Sequence, residues 1–270
     1  YSRGYLKLTR KIKKLDIYFR YSPSNNLWNS SKNTQRIVQN IKKETLISVC
    51  LLSLKNSIIS FLKSNKLEIC VHLISDNSNQ YFDNHLYKII KTSNINVKHI
   101  KSKIKGNRGS YSECCDQARN AEDLIFFIED DYLFEKNSIE EMIVSYSRIS
   151  SILNKDVIMC PSDYPFYYDS LYMTSLHVGM NYKWRNVGET LLTFMLSKNI
   201  FEKYEKQILL VGSQRNEPFE KPLHEIYKKV NCLAPVGSLS YHVSRFVPSI
   251  NEDWKSLWDK TLKNYKHLKL

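Results

Sequence analysis

The sequence predicts an α/β fold with a doubly wound, mostly parallel sheet. Five short apolar segments alternate with four segments of helical periodicity between Leu15 and Cys160. This alternation is typical of parallel strands joined by helices. The segment 124–128 is apolar at every position, as expected for a strand buried on both faces. At 270 residues with 42% hydrophobic content, the chain can form one large α/β domain.

The first half of the chain supplies the strands and helices of this sheet. Apolar residues at spacings of three and four around Leu46 and Leu54 favour a helix there. Ser110 follows a glycine-containing turn and is the expected N-cap of a later helix. In chain order, strands are predicted at 15–20, 68–75, 95–100, 124–128 and 157–160, and helices at 41–63, 81–92, 110–120 and 137–153.

The regular alternation ends after Ser162. The next stretch is dense in aromatic residues, among them Tyr164, Tyr167, Tyr168 and Trp184. It predicts an excursion of short strands and loops, in which most of these rings fill a core while some suit stacking on the apolar face of a ligand. Helices at 199–208 and 219–230 and a strand at 232–236 follow.

Composition restricts the partners and the compartment. The net charge of +13 favours an anionic partner, such as a phosphorylated substrate, an anionic membrane surface or nucleic acid. The sequence carries no recognisable zinc, RNA-recognition or helix-turn-helix signature, so nucleic acid is not expected. Six cysteines without a CxxC pair indicate free thiols and a cytoplasmic location. No apolar run reaches the ~18 residues of a membrane span, and the start does not resemble a signal peptide.

Carboxylates follow two of the predicted strands. Glu129, Asp130 and Asp131 come directly after the strand at 124–128, and Asp76 follows the strand at 68–75. Ligands of open α/β sheets bind at the carboxyl ends of the strands, where such a cluster can hold a hard cation against a phosphate group. A turn before an acid-favouring helix N-terminus is the alternative. The buried strand and the second acid favour a metal and nucleotide site.

Four segments resemble nucleotide-sugar glycosyltransferases of the GT-A fold, especially the bacterial family-2-like enzymes. The resemblance covers residues 14–245 and is specific around Glu129 to Tyr132. It implies metal-dependent transfer, with inversion, from a nucleotide-diphosphate sugar, with UDP favoured, to a glycan or lipid-linked acceptor. The segments are Ile-Tyr-Phe-Arg-Tyr-Ser (17–22), Ile-Ser-Asp-Asn-Ser (74–78), Gly-Asn-Arg-Gly-Ser (106–110) and Phe-Ile-Glu-Asp-Asp-Tyr (127–132).

The resemblance also assigns roles on the donor side. Arg20 and Ser22 would border the nucleobase and ribose, and Asp76 would bind the uracil or ribose. The stretch from Glu129 to Asp131, which includes Asp130, would be the DxD-type motif, with Asp131 a direct ligand of Mn²⁺ or Mg²⁺. Because the motif is Glu-Asp-Asp, the division of roles between Glu129 and Asp131 stays open.

Two further residues extend this donor site. By the resemblance, His242 would be the late histidine that closes the metal site, and imidazole is an acceptable ligand for Mn²⁺. Arg108 lies in a basic run before a predicted helix, where positive charge and a helix N-terminus both suit a diphosphate. A structural histidine and a solvated loop are the respective alternatives.

An inverting displacement requires a base for the acceptor hydroxyl. By the resemblance, it is an acid at the start of a helix near the acceptor, and Glu225 is the first choice here, followed by His224. Asp163, after the fifth strand, is the third candidate. Because this assignment is the weakest step, a catalytically inactive transferase-like domain is an alternative, as is a basic nucleic-acid-binding protein. Nucleotidyl transfer is disfavoured because residues 21–26 contain no glycine.

The predicted organisation is therefore a single transferase domain with two tails. A basic segment spans 1–13, the domain spans 14–245 and a tail spans 246–270. Within the domain, residues 14–161 form the nucleotide-binding half and residues 162–245 the acceptor-binding half. The basic surface could also contact the inner face of a membrane.

Overall fold

A computed structural model describes residues 7–24, 38, 41–169, 174–212, 219–243 and 253–268. The predicted boundary at residue 245 lies outside these ranges. The strands are β1 Lys14–Tyr21, β2 Glu68–Ser75, β3 Asn96–Lys101, β4 Leu124–Glu129, β5 Tyr132–Phe134, β6 Ile158–Met159, β7 Leu176–Val178, β8 Lys183–Asn186, β9 Phe194–Ser197, β10 Cys232–Pro235 and β11 Ser240–His242. The α-helices are α1 Lys43–Leu62, α2 Gln80–Ile90, α3 Asn107–Ala118, α4 Ser138–Leu153, α5 Lys198–Leu209, α6 Lys221–Tyr227 and α7 Trp254–Lys266, and a 3-10 helix spans Pro165–Tyr168.

Nine of these strands form one sheet in the order β3-β2-β1-β4-β9-β6-β10-β8-β7. The pairs β3-β2, β2-β1, β1-β4 and β6-β10 are parallel. Only β9 and β8 run against the others, since each pairs antiparallel with both of its neighbours. Within the described residues the sheet is thus mostly parallel, and the predicted fold class is confirmed.

A second, two-stranded sheet pairs β5 with β11 in antiparallel orientation. In its register, His242 lies opposite Tyr132. Because only two residues separate β4 from β5, this small sheet brings β11 to the carboxyl end of β4. It therefore positions late residues of the chain beside the carboxylate cluster.

Helix α1 is apolar along most of its length. By length and composition alone it could cross a membrane, so the prediction that no run is long enough was wrong. In the structure, 67% of its apolar segment is buried inside the protein, where it packs against α2, α4, α7 and β5. A core helix of a folded domain passes the same test, so this is weak evidence for a membrane span.

The start of α3 differs from its prediction. The N-cap is Gly106, with a φ of 93°, and the helix begins three residues before the predicted cap. Ser110 instead lies in the first turn and donates its hydroxyl back to the carbonyls of Gly106 and Asn107. A Cβ on Gly109 would lie 2.0 Å from the carbonyl oxygen of Ile104. The turn therefore packs directly on the helix backbone, which only glycine permits.

Candidate active site

The three residues predicted as metal ligands lie together at the carboxyl edge of the sheet. One ligand atom each from Glu129, Asp131 and His242 can be chosen so that all lie within 4.8 Å of one another. His242 Nε2 is 3.2 Å from Asp131 Oδ2. Glu129 is the last residue of β4, and the β5–β11 pairing supplies the histidine from more than a hundred residues later.

This donor set suits a divalent cation. Two carboxylates and an imidazole are ligands that Mn²⁺ accepts, and Mg²⁺ accepts the oxygen ligands. Burial raises the pKa of the Glu129 carboxyl to about 7; the cation Arg20 opposes this effect, and the charge of Asp131 adds to it. A cation between the two carboxylates would offset both the cost of burying their negative charge and their mutual repulsion. The residues present therefore fit a metal ion.

Asp130 is not a member of this ligand set. Its Oδ2 accepts a hydrogen bond from the backbone N–H of Ser22 at 2.9 Å and lies 3.5 Å from Nζ of Lys43. Burial raises the pKa of its carboxyl, whereas the Lys43 ammonium lowers it. Asp130 thus connects the end of β1 to the start of α1.

Arg20 supports the site from β1. Its buried guanidinium forms an ion pair with Glu129 and hydrogen-bonds to Asn107 in α3. It also lies over the ring of Tyr111, 5.7 Å from the centroid. Arg20 and Glu129 are direct neighbours in the β1–β4 register. The arginine therefore orients the Glu129 carboxylate.

The other predicted donor residues lie around the ends of β1 and β2. Asp76 is buried at the exit of β2, and its Oδ2 accepts the Gly106 N–H at 3.0 Å. Its Oδ1 is also buried and has no hydrogen-bond partner among the described residues. Ser22 contributes its backbone N–H, which donates to the carboxylate of Asp130. Arg108 is exposed in the first turn of α3.

The first and third choices of catalytic base lie in different surroundings. Glu225 is exposed on α6 and forms an ion pair with Lys228 at 2.6 Å. Asp163 is buried, pairs with Arg185 at 2.5 Å and accepts the Gly237 N–H at 2.8 Å. Its carboxylate is thus occupied in holding the excursion after β6.

The second choice, His224, belongs to a second cluster. Ligand atoms of Glu189, Glu220 and His224 lie within 4.8 Å of one another, and His224 Nε2 is 3.8 Å from Glu220 Oε1. The Glu220 carboxylate raises the pKa of the His224 imidazole above its ordinary value. Glu220, the buried N-cap residue of α6, was not singled out by the sequence analysis. Pro222 marks the first turn of a helix, and this signal could have located the cap.

The segment 190–193 connects this cluster to the metal-ligand set. Glu220 accepts the backbone N–H of Leu191 at 3.0 Å, and longer bonds from the two flanking residues. Leu191 and Leu192 both adopt positive φ, 51° and 63°, which is unusual for leucine. At the other end of the segment, Thr193 Oγ1 accepts the N–H of Glu129 at 3.3 Å. One buried carboxylate thus fixes a strained segment that reaches the end of β4.

Solved structures with the same fold include three that match most of this chain. TarS from S. aureus matches 95% of this chain at 10% identity, with a TM-score of 0.52 and 40% of its own chain covered. The glycosyltransferase GlyE from Streptococcus pneumoniae matches 94% of this chain at 10% identity, with a TM-score of 0.51 and 63% of its own chain covered. GalNAc-T7, solved with UDP, GalNAc and Mn²⁺, matches 94% of this chain at 12% identity, with a TM-score of 0.52 and 50% of its own chain covered.

These likenesses show the fold, which is the GT-A fold. The chain spans between 40% and 63% of the three proteins that it resembles. Neither a protein-family model nor a curated protein sequence matches it. The family-2 relationship stays a prediction.

Proposed function

We propose that this chain is a metal-dependent glycosyltransferase that moves a sugar from a nucleotide-diphosphate donor to a glycan or lipid-linked acceptor. The observation that carries the proposal is the set Glu129, Asp131 and His242, gathered at the carboxyl edge of a GT-A sheet. Structures of the same fold include a glycosyltransferase and a protein solved with UDP, GalNAc and Mn²⁺. Placement in the cytoplasm, with basic side chains against an anionic membrane, is a further part of the proposal that rests on composition.

The donor side follows from the residues around this set. Glu129, Asp131 and His242 would hold Mn²⁺ or Mg²⁺, which when bound stabilises negative charge on a departing diphosphate. Arg20 keeps the Glu129 carboxylate oriented toward the ligand set. The available Oδ1 of Asp76 would accept a hydrogen bond from a uracil N–H or a ribose hydroxyl. UDP-sugars are the donors that the resemblance favours.

The acceptor side is assigned to the cluster on α6. The geometry favours His224 over Glu225 as the base, because Glu225 is exposed and paired with Lys228. The Glu220 carboxylate raises the pKa of the His224 imidazole above its ordinary value, which makes this imidazole a stronger proton acceptor. His224 would take the proton of the acceptor hydroxyl at Nδ1, and the buried Glu220, whose Oε1 lies 3.8 Å from Nε2, would stabilise the imidazolium that forms. This is the step that inversion by a single displacement requires.

The test measures nucleotide binding through protein stability. Wild type, Asp131→Ala and the control Asp116→Ala are compared by scanning fluorimetry and calorimetry against UDP, GDP, CDP and their sugars, with and without Mn²⁺. Asp116 is a matched control because it is a partly exposed aspartate of α3 that pairs with Arg119, the residue after the helix. A ligand at a hundred times its Kd stabilises the folded state by about 2.7 kcal/mol.

We expect Mn²⁺-dependent stabilisation by one nucleotide in wild type and Asp116→Ala, and its loss in Asp131→Ala. The absence of any nucleotide response in wild type at millimolar ligand would overturn the proposal. Salt-dependent retention on DNA in the same protein would then favour the nucleic-acid-binding alternative.

A further inference from the structure

Strands β1 and β2 carry three side chains of metal-ligating types nearer their amino ends, away from the candidate active site. Asp16 and Cys70 are direct neighbours in the β1–β2 register, and His72 lies two residues further along β2 on the same face. All three are buried, with exposed fractions of 4%, 3% and 4%. Asp16 is four residues before Arg20 on the same strand, which separates the two sites by about 13 Å.

The three side chains converge on one point. Their ligand atoms lie within 4.8 Å of one another, and His72 Nε2 is 2.9 Å from Asp16 Oδ1. The ring of Tyr18 stacks on the imidazole with a centroid distance of 4.4 Å and closes the cluster on one side. The thiol, the imidazole and the carboxylate thus form a compact, buried group.

Part of this group has no partner in the part of the chain that the structure describes. Asp16 Oδ2 and His72 Nδ1 are both buried and make no hydrogen bond there. A buried carboxylate oxygen without a partner is costly, and most such atoms in folded proteins are satisfied. A simple Asp–His pair between the strands would leave this oxygen and the neighbouring thiol unexplained.

We infer that Asp16, Cys70 and His72 form a second cation site, which takes a divalent ion with affinity for thiolate, such as Zn²⁺. Mixed sulfur, nitrogen and oxygen donors suit Zn²⁺ and disfavour Mg²⁺. Tetrahedral Zn²⁺ spaces its ligands about 3.3–3.8 Å apart. The 2.9 Å between His72 Nε2 and Asp16 Oδ1 is shorter than this spacing, so these two side chains must move slightly apart to share an ion. Three protein ligands leave the fourth position for water.

Binding requires the Cys70 thiol to release its proton to solvent as the sulfur–metal bond forms. Burial raises the pKa of this thiol in the metal-free protein, and the Asp16 carboxylate adds to the effect. The metal must therefore supply the attraction that makes the thiolate, as it does in other thiolate sites.

The cluster is close enough to the surface for an ion to enter. Lys14 and Glu68 lie two residues earlier on the same face of β1 and β2, about 7 Å from the cluster. Lys14 Nζ bridges Glu68 at 3.0 Å and Glu122 at 2.7 Å, so its charge is already compensated. This surface pair is the end of the two strands nearest the cluster.

The experiment uses Co²⁺ as a spectroscopic probe and Zn²⁺ as its competitor. Metal-free full chain is titrated with Co²⁺, and the near-ultraviolet thiolate-to-cobalt band is recorded. The variants are Cys70→Ala, the control Cys115→Ala, which removes a buried thiol outside the cluster, and Asp131→Ala, which removes the carboxylate site.

We expect one equivalent of Co²⁺ with a thiolate band in wild type, Cys115→Ala and Asp131→Ala, displaced by Zn²⁺. In Cys70→Ala the band should be lost. Absence of the band in wild type, or its persistence in Cys70→Ala, would overturn the inference. Because Asp131→Ala keeps this site, failure here and failure of the proposed transferase site are distinguishable.

A second measurement does not depend on any variant folding. In wild type, alkylation of each cysteine is followed by peptide mass spectrometry with and without Zn²⁺. We expect Zn²⁺ to slow the alkylation of Cys70 more than that of Cys115. Equal rates with and without Zn²⁺ at Cys70 would contradict the site.

Discussion

Glu220 should determine the stability of the segment between the two clusters. Its carboxylate, 2% exposed, accepts the N–H groups of Thr190, Leu191 and Leu192 and the hydroxyl of Thr190. A hydrogen bond to a charged group contributes about 1.5–3 kcal/mol, and a buried donor left without its partner costs a similar amount. Relaxation of two left-handed leucines, at about 1–2 kcal/mol each, returns part of this loss.

We therefore expect Glu220→Ala to lower the free energy of unfolding by about 3–5 kcal/mol. Glu220→Gln keeps one acceptor oxygen, which can still serve the 3.0 Å bond from Leu191, and should lose about 1–2 kcal/mol. For a chain of this size, the alanine variant should melt about 10 °C lower than wild type. The measurement is urea denaturation followed by circular dichroism, with a thermal melt of each variant.

Glu225→Ala is the matched control. It removes a glutamate from the same helix, but this side chain is exposed and contacts Lys228. We expect no measurable change in its unfolding midpoint. If Glu220→Ala were as stable as Glu225→Ala, the assignment of Glu220 as the residue that holds segment 190–193 would be wrong.

Three further changes test other parts of the site. Arg20→Met leaves the Glu129 carboxylate without its cation, so urea denaturation should show a loss of about 3 kcal/mol, partly restored in Arg20→Lys. The Glu220 carboxylate raises the pKa of His224, so the stability that wild type gains over His224→Gln should be full below about pH 6.5 and lost as pH rises through the folded-state pKa. Transferase activity should rise over the same pH range, because the imidazole must be neutral to accept a proton. A fall in activity over this range would contradict the assignment of His224 as the base. Gly109→Ala places a Cβ 2.0 Å from a backbone carbonyl and should cost about 3 kcal/mol, whereas Gly188→Ala, with no atom within 4 Å, should unfold like wild type.

The first half of the fold could be predicted from the sequence because its signals are local. The strands β2 and β4 and the helices α1 and α4 each have a clear period or apolar run, and their observed bounds differ from the predicted ones by at most two residues. The second half could not be predicted in the same way. Strand β9 runs antiparallel between β4 and β6, and nothing in its sequence, Phe-Met-Leu-Ser, encodes that direction.

The site shows the same division. Glu129 to Asp131 follow directly from a buried strand that ends in acids, whereas His242 depends on a strand pairing between distant segments, which only the resemblance indicated. The preference for Glu225 overlooked the period of α6. Leu223 and Ile226 are its buried residues, so the intervening Glu225 must face solvent. The acid that faces inward precedes the helix, at its N-cap.

Strand β1 shows why a polar pattern can be misread in a buried sheet. Lys14, Asp16, Tyr18 and Arg20 alternate with apolar residues, a pattern that ordinarily indicates one solvated face. The structure buries this face under α3: the Tyr18 hydroxyl donates to the Gln117 carbonyl at 3.2 Å. Lys14 and Asp16 pair with side chains of β2, and Arg20 pairs with Glu129 of β4. Oδ2 of Asp16 and Nε of Arg20 are buried and have no hydrogen-bond partner among the described residues. A row of buried polar side chains is stable only where each polar group has a partner. A position in such a row whose polar atoms lack a partner within the protein therefore indicates where a ligand would supply one. On β1, these positions are the proposed cation site at Asp16 and the end of the strand at Arg20.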